Sequence, residues 1–344
     1  MKDVERKIWA KAAQVEIQKY APQQLSFWPD DRRAIANELA RSALFQARDK
    51  RKPRAYFDNE PLFMLGEGAL TYKGEELRVD DEDVFITLAH RARELPSGKM
   101  QVRITSSEIC KDNNWRQSQA YYTNIFKSIQ RMKAGAITVF SRRLTKALKC
   151  QQALDNNASS EELAKLYGEL ADFEKSPFSE YPLEKEGGGD ITGMMFSLVS
   201  GEPTFTGAKS VKDGIPQGNL IWEITLDRKM VLLFAKPFLT LVDKKVRTEL
   251  SATGKRVQSW VLSHKKPYPV KLRSLEKMIG ASYKTLAALK YNLGLLFDEL
   301  VEHEVIHSYE LTPSADKLDW LVTFHREPPT ARAGKPGQQS NQSK

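Results

Sequence analysis

Between Lys271 and Leu300 the apolar positions fall into two helical phases. Leu272, Leu275, Met278 and Ile279 recur at spacings of three and four, which gives a short helix one apolar face. Gly280-Ala281-Ser282 interrupts that phase. Glycine tolerates the left-handed backbone that ends a helix, and Ser282 is placed to cap the next one. Leu286, Leu289, Leu293, Leu296, Phe297 and Leu300 then share one face of a longer helix, with Lys284, Ala287, Ala288 and Tyr291 opposite. A short helix, a Gly-containing turn and a longer helix predict a helix-turn-helix. Its second helix enters the DNA major groove with its N-terminal half. A buried helical hairpin has the same pattern, so the neighbours decide between the two. Glu304–Leu311, Thr312–Asp316 and Leu318–Phe324 read as strand, turn and strand, the wing of a winged helix. From Val242 to Tyr291 the only acids are Asp243, Glu249 and Glu276 among many lysines and arginines, the footprint of phosphate binding.

The pattern recurs upstream. Gln101–Ile104 alternates as a strand, and Thr105-Ser-Ser-Glu108 is a capping box. A short helix over 106–111 and a turn over Asp112–Trp115 follow. A helix over 118–133 then turns Tyr122, Ile125, Ile129 and Met132 inward. Its outer face carries Ala120, Thr123, Asn124, Lys127, Gln130 and Arg131. Ala136–Phe140 begins the first wing. Leu144–Leu154 and Ser160–Glu174 read as two helices of an insertion spanning 144–189, whose acidic residues suit a position away from DNA.

The other segments are read more briefly. Met1–Tyr20 is helical with a thin stripe of Val4, Ile8, Ala12 and Val15. Asp30–Asp49 is helical in tendency. Pro61–Leu65 and Ala69–Tyr72 are short strands, and Asp80–Glu94 is a helix opened by carboxylates. Ile191–Val199 and Leu220–Leu226 are strands separated by a Gly/Pro/Lys-rich loop, and Lys229–Ala235 is a buried strand. Pro237–Leu250 and Ser251–His264 are helices. The stretch after Glu327 lacks core formers and is expected to be disordered.

Composition narrows the chemistry. The chain has 344 residues, enough for about two domains, and a formal net charge of +9, which suits an acidic partner. Its two cysteines, Cys110 and Cys150, have no paired spacing, which fits a reducing cytoplasm. No signal peptide and no apolar run near about 18 residues is found, so no membrane is expected. His303-Glu-Val-Ile-His307 matches the zinc-protease pattern, but that chemistry needs both histidines on one helix face. Here the segment is β-branched, follows a complete helix and suits the wing strand. No Gly-rich phosphate loop and no nucleophile set stands out. The reading is therefore non-enzymatic, with no cofactor and no metal.

With those residues laid out, the chain resembles the TrfA-type plasmid replication initiators. Matching stretches are Ala40–Phe45, Thr71–Asp81, Tyr121–Thr123, Met230–Ala235, Leu250–Thr253 with Arg256, and Ser263–Leu272. The resemblance implies two winged-helix domains on repeated origin sequences (iterons) and opening of an adjacent AT-rich region with the host initiator. It also implies recruitment of the host replicative helicase and a switch between homodimer and active monomer. It implies a sliding-clamp docking peptide as well, at the position of Gln24, Leu25, Ser26, Phe27 and Trp28.

The expected architecture is α+β: two tandem winged-helix domains with a helical insertion in the first. An N-terminal helix and clamp-docking segment spans 1–37. The first domain spans 38–235, the second 236–326 and a tail 327–344. Lys284, Ala287, Ala288 and Tyr291 are expected at base edges. Lys265, Lys266, Arg273, Lys277, Asn124, Lys127 and Arg131 are expected at the DNA backbone. A winged-helix transcription regulator without initiator activity is the alternative, and a scaffold that does not bind DNA is a third class.

Overall fold

Segments far apart in sequence pair to build the frame of this computed structural model, which describes residues 12–15, 17–22, 24–95, 100–175 and 193–327. Strand β1 (Arg32–Ala36) lies antiparallel to β13 (Leu239–Asp243), Arg32 opposite Asp243. After β1 come α1 (Asn37–Ala40), β2 (Phe45–Gln46), β3 (Tyr56–Leu62), β4 (Ala69–Glu75), β5 (Leu77–Arg78) and α2 (Val79–Ala92). Strand β6 (Gln101–Thr105), α3 (Ser106–Asp112), α4 (Gln119–Ala134) and β7 (Ala136–Phe140) follow. Then come α5 (Arg142–Asp155), α6 (Ser160–Lys175), β8 (Gly193–Phe196) and β9 (Val199–Thr206). A small hairpin, β10 (Ser210–Lys212) and β11 (Ile215–Gln217), leads to β12 (Ile221–Leu226) and α7 (Met230–Leu233).

The last third runs β13, α8 (Lys244–Glu249), α9 (Ala252–Leu262), β14 (Val270–Lys271), α10 (Leu272–Ile279), α11 (Leu286–Glu302), β15 (Ser308–Pro313) and β16 (Trp320–His325). Here the three strands pair in the order β14-β16-β15. Upstream, β6, β9 and β12 pair in the order β6-β12-β9. Each sheet therefore inserts its last strand between the other two. In each, two helices follow the first strand; downstream the second strand comes next, whereas upstream β7, α5, α6 and β8 intervene. A further antiparallel sheet, β3-β4-β7-β8, flanks the upstream unit.

Two apolar clusters form the core. One gathers Ile17, Leu25, Trp28, Phe45, Phe85, Phe234 and Val242; the other gathers Val257, Trp260, Leu275, Leu289, Phe297 and Phe324. The 17–37 segment and β13 thus belong to the first body. The core changes hands between Val242 and Leu250, not at residue 235.

Several local expectations are corrected. The 30–49 stretch is strand, one helical turn and strand, because β1 pairs with β13, about two hundred residues downstream, and Ile35 is buried there. In the 229–235 run Lys229 is exposed and 230–235 are buried, but the run forms one helical turn rather than a strand. Residues 239–243 are strand rather than helix. In the N-terminal helix Ala13, Ile17 and Tyr20 face the core while Val15 is exposed, one position off the expected stripe. Val4 and Ile8, and the tail from 328, lie outside the described residues. Strand β7 pairs with β4 and β8, so it is not part of the β6 sheet and does not begin the first wing.

Candidate nucleic-acid interface

In the downstream unit the turn between α10 and α11 is fixed from three sides. Gly280 closes α10 at φ 76°, a left-handed conformation that glycine adopts without strain. A Cβ there would meet the Gln46 side chain at 2.7 Å. Buried Glu276 accepts from the Tyr283 backbone N at 2.6 Å and from Arg273 at 2.8 Å. Ala47 N donates to Ile279 O at 2.8 Å, which seats the end of α10 on β2. Helix α11 begins later than the Ser282 cap implies. Thr285 is extended and its hydroxyl accepts from Ala288 N at 3.1 Å.

The outer face of α11 matches the expectation with one change. Ala287 and Tyr291 are exposed, Tyr291 at 68%, and Ala288 is half-buried. Lys284 is exposed but precedes the cap, so it stands in the turn rather than on the helix. Leu295, 54% exposed, continues the face. The charges of α11 are graded: its acids, Asp298, Glu299 and Glu302, all lie in the C-terminal half, so the N-terminal half is the end that a phosphate backbone tolerates.

The wing is braced onto this helix. Lys290 Nζ lies 3.1 Å from the Trp320 ring centroid, and Tyr309 donates to Asp298 at 2.8 Å. Lys271 reaches Asp316 at 2.9 Å, and Arg273 N donates to Asp319 at 3.2 Å. The start of α10 and the wing turn therefore stand together, with Lys317 at the tip in the left-handed region, φ 56°. The expected backbone residues divide. Arg273 is partly engaged by Glu276. Lys277 is exposed and stands 5.7 Å over the Phe63 ring of the upstream body. Lys265 and Lys266 are exposed between α9 and β14. Because Val270 pairs with Val322, that loop lies toward the end of the sheet remote from the wing turn. Those two lysines do not converge with the others.

The upstream unit repeats the arrangement with different chemistry. The capping box forms in full: Thr105 Oγ1 accepts from Glu108 N at 3.1 Å, and Glu108 accepts from Thr105 N at 2.8 Å. Asn124 and Lys127 are exposed on α4. Arg131 is not. It is buried, with NH2 2.7 Å from Asp81 of α2 and a further bond to Ser128. Burial raises the Asp81 carboxyl, but Arg131 and Arg54 outweigh it and hold the pKa below the ordinary value. Arg131 is thus a structural partner, and its place on the helical wheel misled because Asp81 comes from another helix.

The place expected of a first wing is taken by β9 and β12, which pair antiparallel, with the β10–β11 hairpin between them. Asp213 and Gly214, at φ 51° and 74°, make its two-residue turn. An Asp-Gly pair between Val211-Lys212 and Ile215 is a hairpin signal, so the loop expected between the two flanking strands contains a hairpin. Gly218 N donates to Gln119 at 2.8 Å, tying the hairpin base to the start of α4. Lys209 and Lys212 are exposed there.

The 24–28 peptide is packed in rather than held out. Leu25 and Trp28 are buried, Trp28 stacks on Phe234 and its Nε1 donates to His90 Nδ1 at 2.9 Å. Ser26 donates to Phe234 O at 3.2 Å. Gln24 and Phe27 are exposed, and Arg93 lies 5.5 Å over the Phe27 ring. The His303-Glu-Val-Ile-His307 segment spans the end of α11 and the turn after it; the wing strand begins only at Ser308. Among the described residues no metal-binding cluster occurs, and no helix is long and apolar enough to cross a membrane.

An ionic cluster joins the two bodies. Glu82 of α2 meets Arg256 at 2.6 Å and Arg247 at 3.0 Å, and Asp83 meets Lys255 at 2.6 Å and Arg247 at 3.1 Å. All five side chains are buried. Arg256 also donates to Ser42 O at 2.6 Å. Arg41 crosses the same junction to Ser263 Oγ at 3.0 Å.

A model of the TrfA protein family matches residues 6–154 and 219–314, well over half of the sequence. The chain belongs to the TrfA family. The plasmid replication initiator protein TrfA of Escherichia coli is 26% identical over 283 residues, covering 80% of this chain and 60% of that protein. The chain thus matches less than two thirds of that relative's length. Two crystal structures of domains 2 and 3 of RctB superpose more loosely. The first, from selenomethionine derivatives, has a TM-score of 0.49 and 11% identity over 83% of this chain and 96% of its own. The second has 0.47 and 10%, over 82% and 95%. The gap in the TrfA match, 155–218, takes in α6, β8, β9 and the β10–β11 hairpin, while β12 falls within the match. Several of the TrfA-like stretches meet at the junction: Arg41 lies in Ala40–Phe45, Ser263 opens Ser263–Leu272, and Arg256 binds both Ala40 O and Ser42 O.

Proposed function

We propose that this chain is a non-enzymatic, cytoplasmic initiator of plasmid replication that binds duplex origin repeats through two tandem winged-helix units. The shared arrangement of a strand followed by two helices, in a three-stranded sheet whose last strand is central, carries this reading. TrfA family membership supports it. In the downstream unit Ala287, Ala288 and Tyr291 face base edges, where alanine packs on a thymine methyl. Lys284 in the turn, with Arg273, Lys277 and Lys317, meets phosphates. In the upstream unit Asn124 and Lys127, helped by Lys209 and Lys212 of the wing, grip the backbone, which positions the protein without reading sequence.

Host helicase and initiator recruitment and a dimer–monomer switch belong to the same proposal. Clamp docking through residues 24–28 requires Leu25 and Trp28 to leave the core. Replication in trans of a plasmid that carries the origin but lacks this gene tests the initiator role. Replicon maintenance supports it. Repeat binding with no replication leaves a transcription regulator instead.

A further inference from the structure

A second basic feature lies away from both recognition helices. Where the two bodies meet, a cleft of about 440 Å³ is lined by Arg41, Arg143, Lys236, Lys265 and Arg326. These come from five separate stretches: α1, the start of α5, the turn before β13, the loop after α9, and the end of β16. No carboxylate lines the cleft among the described residues. Glu38 lies near Arg41 and Arg143, but it is 3% exposed and burial raises its carboxyl pKa. His264 also lines the cleft. It is fully buried and its Nε2 has no hydrogen-bond partner. One wall is aromatic, with Tyr20 and Phe238 edge to face at 5.6 Å.

Like charges gathered in one concave site repel one another, and a low-dielectric wall strengthens the repulsion. A multivalent anion relieves it. Duplex DNA is the first anion to consider, but the position disfavours it. Strand β16 starts at Trp320 beside the wing turn and runs away from it. Arg326 lies beyond the strand's far end, about 20 Å from Trp320 at the rise of an extended strand. The volume, concavity and mixed basic and aromatic lining suit a small molecule.

We propose that this cleft is a binding site for a small polyphosphate anion of the nucleoside polyphosphate class. Lys236, Lys265 and Arg326 hold the phosphates at the mouth, and Arg41 and Arg143 complete the field behind them. The ligand touches both bodies at once, so its binding is linked to their relative placement. No hydrolysis is implied.

The test is calorimetric titration of the full chain with ATP and, separately, with inorganic pyrophosphate at low salt. Wild type is compared with Lys236→Glu and Arg326→Glu, two exposed positions outside the proposed DNA-contacting set. One saturable site per chain is expected for ATP. Each charge reversal should weaken it by about tenfold or more, with thermal melting and duplex affinity unchanged. If either variant unfolds, the other decides. Absence of saturable binding to wild type overturns the proposal, as do folded variants that bind ATP as wild type does. If duplex DNA displaces ATP and the variants lose duplex affinity in the same proportion, the cleft belongs to the DNA path and the small-anion assignment falls. The repeat-binding reading is scored separately on the duplex.

Discussion

Helices α4 and α11 occupy the same position in two units with the same strand order, yet their outer faces differ. On α4 the exposed positions include the polar Asn124, Lys127 and Gln130 between Ala120 and Ala134, and Arg131, one turn on from Lys127, is drawn inward to Asp81. On α11 the outer face is mostly small or apolar: Ala287, Tyr291 and Leu295 are exposed and Ala288 half-buried, with Asn292 the exposed amide among them. A polar face grips phosphate and suits many sequences. A face of small residues and one large aromatic fits closely against base edges and methyl groups. On the proposed reading, similar architecture supports unequal work, with the upstream unit holding DNA and the downstream unit reading it.

The shared frame is the most sensitive point of that division. Arg256→Ala removes one cation of a fully buried cluster, leaving Glu82 to Arg247 alone and the Ser42 carbonyl without this donor, so it should cost about 3–5 kcal/mol of unfolding free energy in denaturant titration. A loss below about 1 kcal/mol would mean that the two bodies do not depend on this cluster. The next effect separates reading from holding. Tyr291→Ala should lower affinity for the cognate repeat by about 1–3 kcal/mol and leave scrambled duplex unaffected. Equal losses on both duplexes would make Tyr291 another backbone contact. Lys127→Ala and Lys277→Ala should each weaken binding on every sequence alike and reduce the salt slope by about one. A base-specific loss in either would reverse the assignment.

The smallest effect near neutral pH is confined to the first body. Burial first, then Arg33 and Arg93, lower the His90 pKa to about 4. The ring stays neutral in the fold and accepts from Trp28. Above about pH 6.5 the unfolded chain is neutral there too, and no stability depends on pH through this group. As the pH falls from about 6.5 toward 4, the unfolded chain takes up a proton that the fold resists, so stability declines. His90→Gln should flatten the melting temperature across that window. An unchanged pH profile would show that His90 does not set it.

Much of the downstream unit is legible in the sequence because its order is local. The inward face of α11 buries Leu289, Leu293, Leu296, Phe297 and Leu300, five of the six leucine and phenylalanine positions that the 3.6-residue period selects. The cap was misplaced by three residues because Ser282 and Thr285 are equally competent by type. The choice fell to Thr285 once Glu276 captured the backbone N of Tyr283. What was misread depends on distant partners. Strand β1 looks helical until β13 supplies its neighbour, and Arg131 looks exposed until Asp81 faces it. The Lys229–Ala235 run was, Lys229 apart, correctly placed inside but wrongly typed, since a short apolar run has no period to tell strand from helix. The junction cluster and the basic cleft unite residues from across the chain, and no spacing rule brings them together.

The central claim is that the chain reads repeated origin sequence, chiefly with α11. The most direct measurement is its affinity for a direct-repeat fragment of its own plasmid's origin, against a scrambled duplex of equal length, at two salt concentrations. The account predicts a preference for the repeats of more than about a hundredfold that persists at the higher salt, while binding to the scrambled duplex collapses. Equal affinities that fall together with salt would contradict it, leaving a basic protein that holds DNA without reading it.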